Sequence, residues 1–94
     1  MHRNAIDKQI AEFCHSIKQA DDVEVIKKLF SEMFTEPELN DLALRWKLLK
    51  MLQNGISQRK IAVELGISLC KITRGAKLLK DRKSVIGSII KQYA

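Results

Sequence analysis

Between Ser57 and Lys80 the chain reads SQRKIAVELGISLCKITRGAKLLK, and its cations alternate with short hydroxyl and amide side chains. Gln58, Arg59, Lys60, Ser68, Leu69, Lys71, Thr73, Arg74 and Lys77 fall at outward positions if the segment is a pair of crossed helices. Ammonium and guanidinium groups neutralise phosphates, whereas hydroxyl and amide groups hydrogen-bond to base edges. The chemistry on offer is therefore non-covalent recognition of a polyanion. Covalent chemistry is poorly supplied. Cys14 and His15 are adjacent, so on a helix they point roughly 100° apart and cannot act directly as a nucleophile–base pair. Cys70 and His2 are the only other thiol and imidazole, too few for a metal site. No catalytic residue, metal ligand or cofactor is assigned.

These side chains need two helices to position them, and the intervening residues suit that purpose. Ile61 precedes the small Ala62, where the helices must nearly touch, and Gly66 follows four residues on, where the turn favours positive φ. Leu65, Ile67 and Ile72 fill the inward positions. Ser57 and Ser68 are suitable N-caps for the two helices. An ordinary αα-hairpin could carry the same small residue and glycine, but its exposed face would not need so many cations. The segment reads as a helix-turn-helix.

The rest of the composition fits that assignment. The chain has 94 residues, 46% hydrophobic, with one proline and four glycines, and no stretch alternates apolar and polar residues as a half-buried strand would. One all-α domain is expected over residues 1–94. The net charge of +6 is unevenly spread: residues 1–47 hold seven Lys/Arg against nine Asp/Glu, a net of −2, and residues 48–94 hold ten against two, a net of +8. A neutral-to-acidic half carrying a basic half concentrates a polyanion near one face. Double-stranded nucleic acid fits better than a membrane, because the basic segment lacks the broad apolar face of an interfacial helix. Two distant cysteines suggest no disulfide framework, and no apolar run approaches 18 residues. The N-terminus, MHRNAIDKQI, has no signal-peptide pattern. A cytoplasmic protein with reduced thiols is expected.

About six helices are anticipated. Ile6, Ile10, Phe13 and Ile17 form one apolar stripe over 4–20, and Val23, Ile26, Leu29, Phe30 and Met33 form another over 22–34. Asp21-Asp22 separates the two and offers a cap. In FTEPEL, Thr35 and Glu38 complete a capping box, Pro37 is confined to the first turn, and Phe34 and Leu39 can staple the entry. That third helix should run to about Asn54 and stop at Gly55. It carries two apolar stripes, one of Leu39, Leu42, Trp46, Leu49 and Leu52 and another of Leu44, Leu48 and Met51. Burial on most sides is implied, more than one such chain supplies, so an intertwined homodimer is expected. A monomer that tucks the second stripe under its first or last helix is the alternative. A last helix over roughly 83–93 would offer Val85, Ile86, Ile89, Ile90 and Tyr93 to the same core. Residues 1–54 would then be mainly dimer core, 57–80 the helix-turn-helix and 83–94 a C-terminal core helix.

The segment FTEPELNDLALRWKLLKML followed by SQRKIAVELGISLCKITRGAKLLK resembles the bacterial Trp repressor family, tryptophan-dependent DNA-binding dimers. The resemblance covers roughly residues 30–80 and rests on the SQR…LG…ITRG…LK spacing with the upstream capping segment. It implies that L-tryptophan acts as corepressor, positioning the helix-turn-helix on a two-fold symmetric operator. By the same resemblance Arg45 and Arg74 flank the indole and one of them meets the ligand carboxylate, with Gly75 beside them. Arginine suits both tasks because its planar fork stacks on rings and pairs with carboxylates. Phe34 and Thr35 match positions that close the ammonium end of the pocket, and Leu78 stands where a polar residue often lines its amine side. On the DNA side, Arg59, Leu69, Cys70, Lys71 and Thr73 match groove-facing positions and Lys80 a phosphate contact. Arg59 suits either guanine or a phosphate.

Physical arguments bear on two of these residues independently. Arg45 in a buried third helix requires a carboxylate or backbone acceptor, and Asp41, four residues earlier, is one candidate. Gly75 weakens its helix by about 1 kcal/mol relative to alanine, which suggests that something flat approaches the backbone there. Two departures stand out, the Gly55-Ile56-Ser57 connection, one residue shorter than is usual in the family, and Leu78 in place of a polar residue; Trp46 is also unusual at its position, where it reads as core. A different function class, a ligand-independent helix-turn-helix module of a recombinase or transposase, would need neither a pocket nor an apolar third helix.

Overall fold

A computed structural model describes residues 1–94 as six helices without a strand: α1 (Arg3–Ala20), α2 (Val23–Met33), α3 (Glu36–Gln53), α4 (Gln58–Leu65), α5 (Leu69–Lys80) and α6 (Val85–Ile90). The chain divides into two compact units, Met1–Leu39 and Asn40–Ala94, with the boundary inside α3. No helix is long and apolar enough to cross a membrane.

In the first unit, α1 ends where Asp21 enters the left-handed region (φ 48°) and its N–H reaches the Ile17 carbonyl at 3.4 Å. Asp22 then starts α2 by accepting from the N–H groups of Glu24 (2.9 Å) and Val25 (3.4 Å). This turn brings Phe13 against Phe30 and Phe34, with ring centroids 5.8 and 6.3 Å apart, and Phe30 stacks on Phe34 at 5.3 Å. Even so, neither α1 nor α2 contains a buried residue, and Ile10 remains 56% exposed.

The start of α3 carries the expected capping box. The Thr35 N–H donates to Glu38 Oε1 at 2.8 Å, and the Glu38 N–H donates to the Thr35 hydroxyl at 3.3 Å, which itself donates to Oε1 at 2.9 Å. The backbone bond first, then the hydroxyl, holds the Glu38 carboxyl below the usual carboxylate range. A depressed folded-state pKa adds stability that is present above the unfolded value and is lost as pH falls through the folded one. Thr35→Ala is expected to move the Glu38 midpoint upward in an NMR titration of the side-chain carboxyls. An unmoved midpoint would show that the hydroxyl plays no part.

The second unit is built from the remainder of α3 and from α4, α5 and α6. At its C-terminus α3 closes with a paired set of bonds, Ile56 N–H to Met51 O (3.1 Å) and Gly55 N–H to Leu52 O (3.0 Å). This arrangement needs the left-handed Gly55 (φ 80°) and places Ile56 against the core. Ser57 caps α4 through the Lys60 N–H (3.2 Å) and Ser68 caps α5 through the Lys71 N–H (3.4 Å), with Gly66 left-handed (φ 63°) between the helices. The core consists of Leu48, Leu49, Met51, Ile61, Ile72 and Ile90, ringed by Trp46, Leu52, Ile56, Ala62, Leu65, Ile67, Leu79 and Ile86. Trp46 meets Tyr93 edge-on at 5.4 Å.

Two expectations from the sequence are corrected here. The last helix is shorter than 83–93: Ser84 starts it by accepting from the Ile86 N–H (3.3 Å), and after Ile90 the chain tightens into turns with Gln92 N–H to Ile89 O at 3.1 Å. Only Ile86 and Ile90 reach the core, so Val85 and Tyr93 stay exposed. The single chain covers α3 only in its C-terminal half, where Leu48, Leu49 and Met51 are buried, and leaves Leu42 50% exposed, as expected of one copy of a helix with two apolar stripes. The second correction concerns Arg45, which is exposed in the chain and has no carboxylate partner: the ion pairs of the chain are Arg3–Asp7 and Glu24–Lys27. Its long stem lets the guanidinium reach water.

Candidate ligand cleft and basic face

Side chains of α3 and α5 face each other at Gly75 and line one cleft. On α3, Arg45, Leu48 and Leu49 stand at helical spacings of three and four, and on α5 Lys71, Arg74, Gly75 and Leu78 do the same, so each set shares one face. Together they line a cavity of about 220 Å³ within the second unit. That is below the roughly 300–1,000 Å³ of pockets for larger ligands and suits a small ring system. Leu48, Leu49 and Leu78 supply an apolar surface, while Arg45, Lys71 and Arg74 supply positive charge and no acidic residue lines the cavity.

Gly75 is buried beneath leucine side chains that reach it from α3. A Cβ there would come within 2.8 Å of Leu48 Cδ1 and 3.4 Å of Leu49 Cδ2 and Leu52 Cδ1. Within the chain itself, what approaches this backbone is a leucine side chain. Leu48 also lines the cavity, so the cavity is the space into which it can be displaced. Gly75→Ala is therefore expected to change stability little, since about 1 kcal/mol of helix propensity offsets overpacking of about 1–3 kcal/mol. It should nevertheless fill the cleft and weaken any occupant at least several-fold, measurable by calorimetry beside a melting curve. A variant that binds as before with unchanged stability would show that Leu48 moves elsewhere.

Of the expected ligand residues, the structure gathers Arg45, Arg74, Gly75 and Leu78 at this cavity. Phe34 and Thr35 are not among its lining. They belong to the first unit, where one joins the aromatic cluster and the other the capping box. The sequence reading missed Lys71, Leu48 and Leu49 as lining residues. The i, i+3, i+4, i+7 spacing of 71, 74, 75 and 78 carried the signal for Lys71, which its charge obscured.

The outward face of α5 forms a second, shallower cleft of about 400 Å³ lined by Leu69, Cys70, Thr73, Arg74 and Lys77. Arg74 therefore borders both clefts. The α5 sequence LCKITRGAKLLK contains four cations and no acid, and its last turn holds Lys77 and Lys80. Cations there also complement the negative helix end. The Thr73 hydroxyl donates to Gln58 Oε1 at 3.1 Å, tying the start of α4 to the middle of α5. Arg59, Ser68 and Lys80 are exposed around this face, and both cysteines are free and exposed.

Comparison with known proteins gives a consistent result. The family model described as Trp repressor protein matches residues 8–94. A Trp operon repressor homolog of Xylella fastidiosa is 36% identical over 64 residues, covering 67% of this chain and 70% of that protein. A Trp operon repressor homolog of Chlamydia trachomatis is 38% identical over 56 residues, 58% of this chain and 60% of that protein. No solved structure matches.

Proposed function

The chain belongs to the Trp repressor protein family, and from that premise we propose that it is a DNA-binding transcriptional repressor that responds to L-tryptophan. The observation carrying this reading is that α5 presents a ring-sized, cationic cleft on one side and an acid-free basic groove on the other, with Arg74 bordering both. A ligand in the first cleft therefore sits one side chain away from the DNA-facing surface. As corepressor, L-tryptophan would lie with its indole between the guanidiniums of Arg45 and Arg74 and its carboxylate on one of them. The wedge would hold α4 and α5, acting as a helix-turn-helix, at the spacing that lets two of them enter successive major grooves. A ligand shifts DNA affinity only by its preference for that docked arrangement.

The functional unit in this reading is an intertwined homodimer in the cytoplasm, acting on a two-fold symmetric operator. Support comes from the apolar residues that one chain leaves uncovered. No residue of α1 or α2 is buried, and Ile10, Met33 and Leu42 are each at least half exposed, which is the kind of surface a partner covers. Residues 1–54 would form most of the dimer core, 57–80 the reading hairpin and 83–94 a further core element. On DNA, Gln58, Arg59, Ser68, Leu69, Cys70, Thr73 and Lys77 would face the groove and Lys80 a phosphate, whereas Lys71 lies on the cleft side of α5.

The test begins with duplexes selected by the protein from a randomised pool in millimolar L-tryptophan. Affinity for them is then measured with and without the amino acid at fixed salt. Tighter binding with tryptophan is expected. Equal affinity across the millimolar range would instead favour a ligand-independent helix-turn-helix module such as those of recombinases and transposases.

A further inference from the structure

We propose that Lys71 is a specificity-determining residue of the cleft between α3 and α5, where its ammonium joins the two guanidiniums around the ligand carboxylate and makes affinity follow the ligand's net negative charge. This rests on the reading of that cleft as the effector site. Four observations carry it. Lys71 lines the cavity from the same face of α5 as Arg74 and Gly75, with Arg45 opposite on α3. The cavity wall contains three cations and no carboxylate, hydroxyl or side-chain amide. None of the three cations is engaged elsewhere, because the ion pairs of the chain lie in α1 and α2. Finally, Leu78 offers an ammonium no acceptor from its side of the cleft.

The electrostatic consequence is simple. A zwitterionic amino acid brings one charge that the wall attracts and one that it repels. The same ring bearing only a carboxylate brings the attracted charge alone, and an amine without a carboxylate brings only the repelled one. Lys71 contributes to all three in proportion to ligand charge. Because its side chain is exposed, water screens the contribution to that of a surface ion pair, roughly a two- to five-fold change in affinity. Salt should weaken it further.

Three indoles that differ in net charge provide the probes: 3-(indol-3-yl)propanoate (−1), L-tryptophan (0) and tryptamine (+1). Calorimetry on the whole protein gives their dissociation constants for the parent, Lys71→Met and Lys71→Arg, with melting curves confirming that each variant folds. Lys71→Met is expected to weaken the propanoate about two- to five-fold, to change tryptophan less and to tighten tryptamine. Lys71→Arg should restore the parent order. Equal effects on all three ligands, or none, would overturn the role of Lys71 while leaving the cleft as the effector site. If the parent binds none of the three, the effector reading falls and this inference with it.

Discussion

Arg74→Ala is expected to abolish the dependence of DNA binding on L-tryptophan while leaving the helices intact. Its guanidinium borders the ring-sized cleft on one side of α5 and the basic groove on the other, and no other residue lines both. Only arginine combines a planar cation for an aromatic face with a fork for a carboxylate. Loss of a charged hydrogen bond to the ligand corresponds to about 1.5–3 kcal/mol, or roughly ten- to a hundred-fold in affinity. The side chain is exposed and alanine is at least as good a helix former, so the fold should change by less than about 0.5 kcal/mol. DNA affinity without ligand will also fall, since a cation leaves the groove. The decisive measurement is therefore the ratio of DNA affinities with and without tryptophan, not either affinity alone. A ratio equal to the parent's would mean that the ligand binds elsewhere.

Ile72→Ala should have the largest effect on stability. Ile72 is fully buried on α5, as are Ile61 on α4 and Ile90 on α6, and they meet Leu48, Leu49 and Met51 of α3. Removing the larger part of such a side chain typically loses about 2–5 kcal/mol, because transfer and cavity terms add. Set against the 5–15 kcal/mol of an ordinary domain, that would bring the protein close to unfolding at room temperature. The core holds only six buried side chains, so neighbours have little surplus with which to close the gap. Urea midpoints for Ile72→Ala and for Val63→Ala, a residue 78% exposed on α4, provide the comparison. The first should fall markedly and the second by less than about 0.5 kcal/mol. A loss under 1 kcal/mol for Ile72→Ala would mean that this cluster is not the cooperative core.

The features that could be read from the sequence are those decided within a few residues. Thr35 with Glu38, Ser57, Ser68, Gly55 and Gly66 each start, stop or turn a helix as expected, because a cap or a positive φ depends on its immediate neighbours. The inward set Ile61, Ala62, Leu65, Ile67 and Ile72 was legible because the helical period alone selects it. The partner of Arg45 was not legible: Asp41, one turn earlier, is near in sequence but forms no ion pair with it, because both side chains are exposed in this chain and free to turn to water. The apolar run at the C-terminus promised a longer α6, but the serine cap and the turns after Ile90 limit it. At the candidate site, Arg45, Arg74, Gly75 and Leu78 were named from a family likeness, and the structure sets them around one cavity. Lys71 matches a groove-facing position in the family likeness, although its spacing from Arg74 and Gly75 places it on the cleft side. The reason for Gly75 was likewise invisible, since only the folded chain shows that Leu48 reaches from α3 into the space of the missing side chain.

The junction between α3 and α4 has a mechanical consequence. Every residue in it is already committed: Gly55 and Ile56 complete the end of one helix, Ile56 packs into the core, and Ser57 begins the next. No slack remains to serve as a hinge. Torque applied to α4 is delivered straight to the last turns of α3, and amide hydrogen exchange across residues 53–56, whose N–H groups are bonded, should be as slow as in α3.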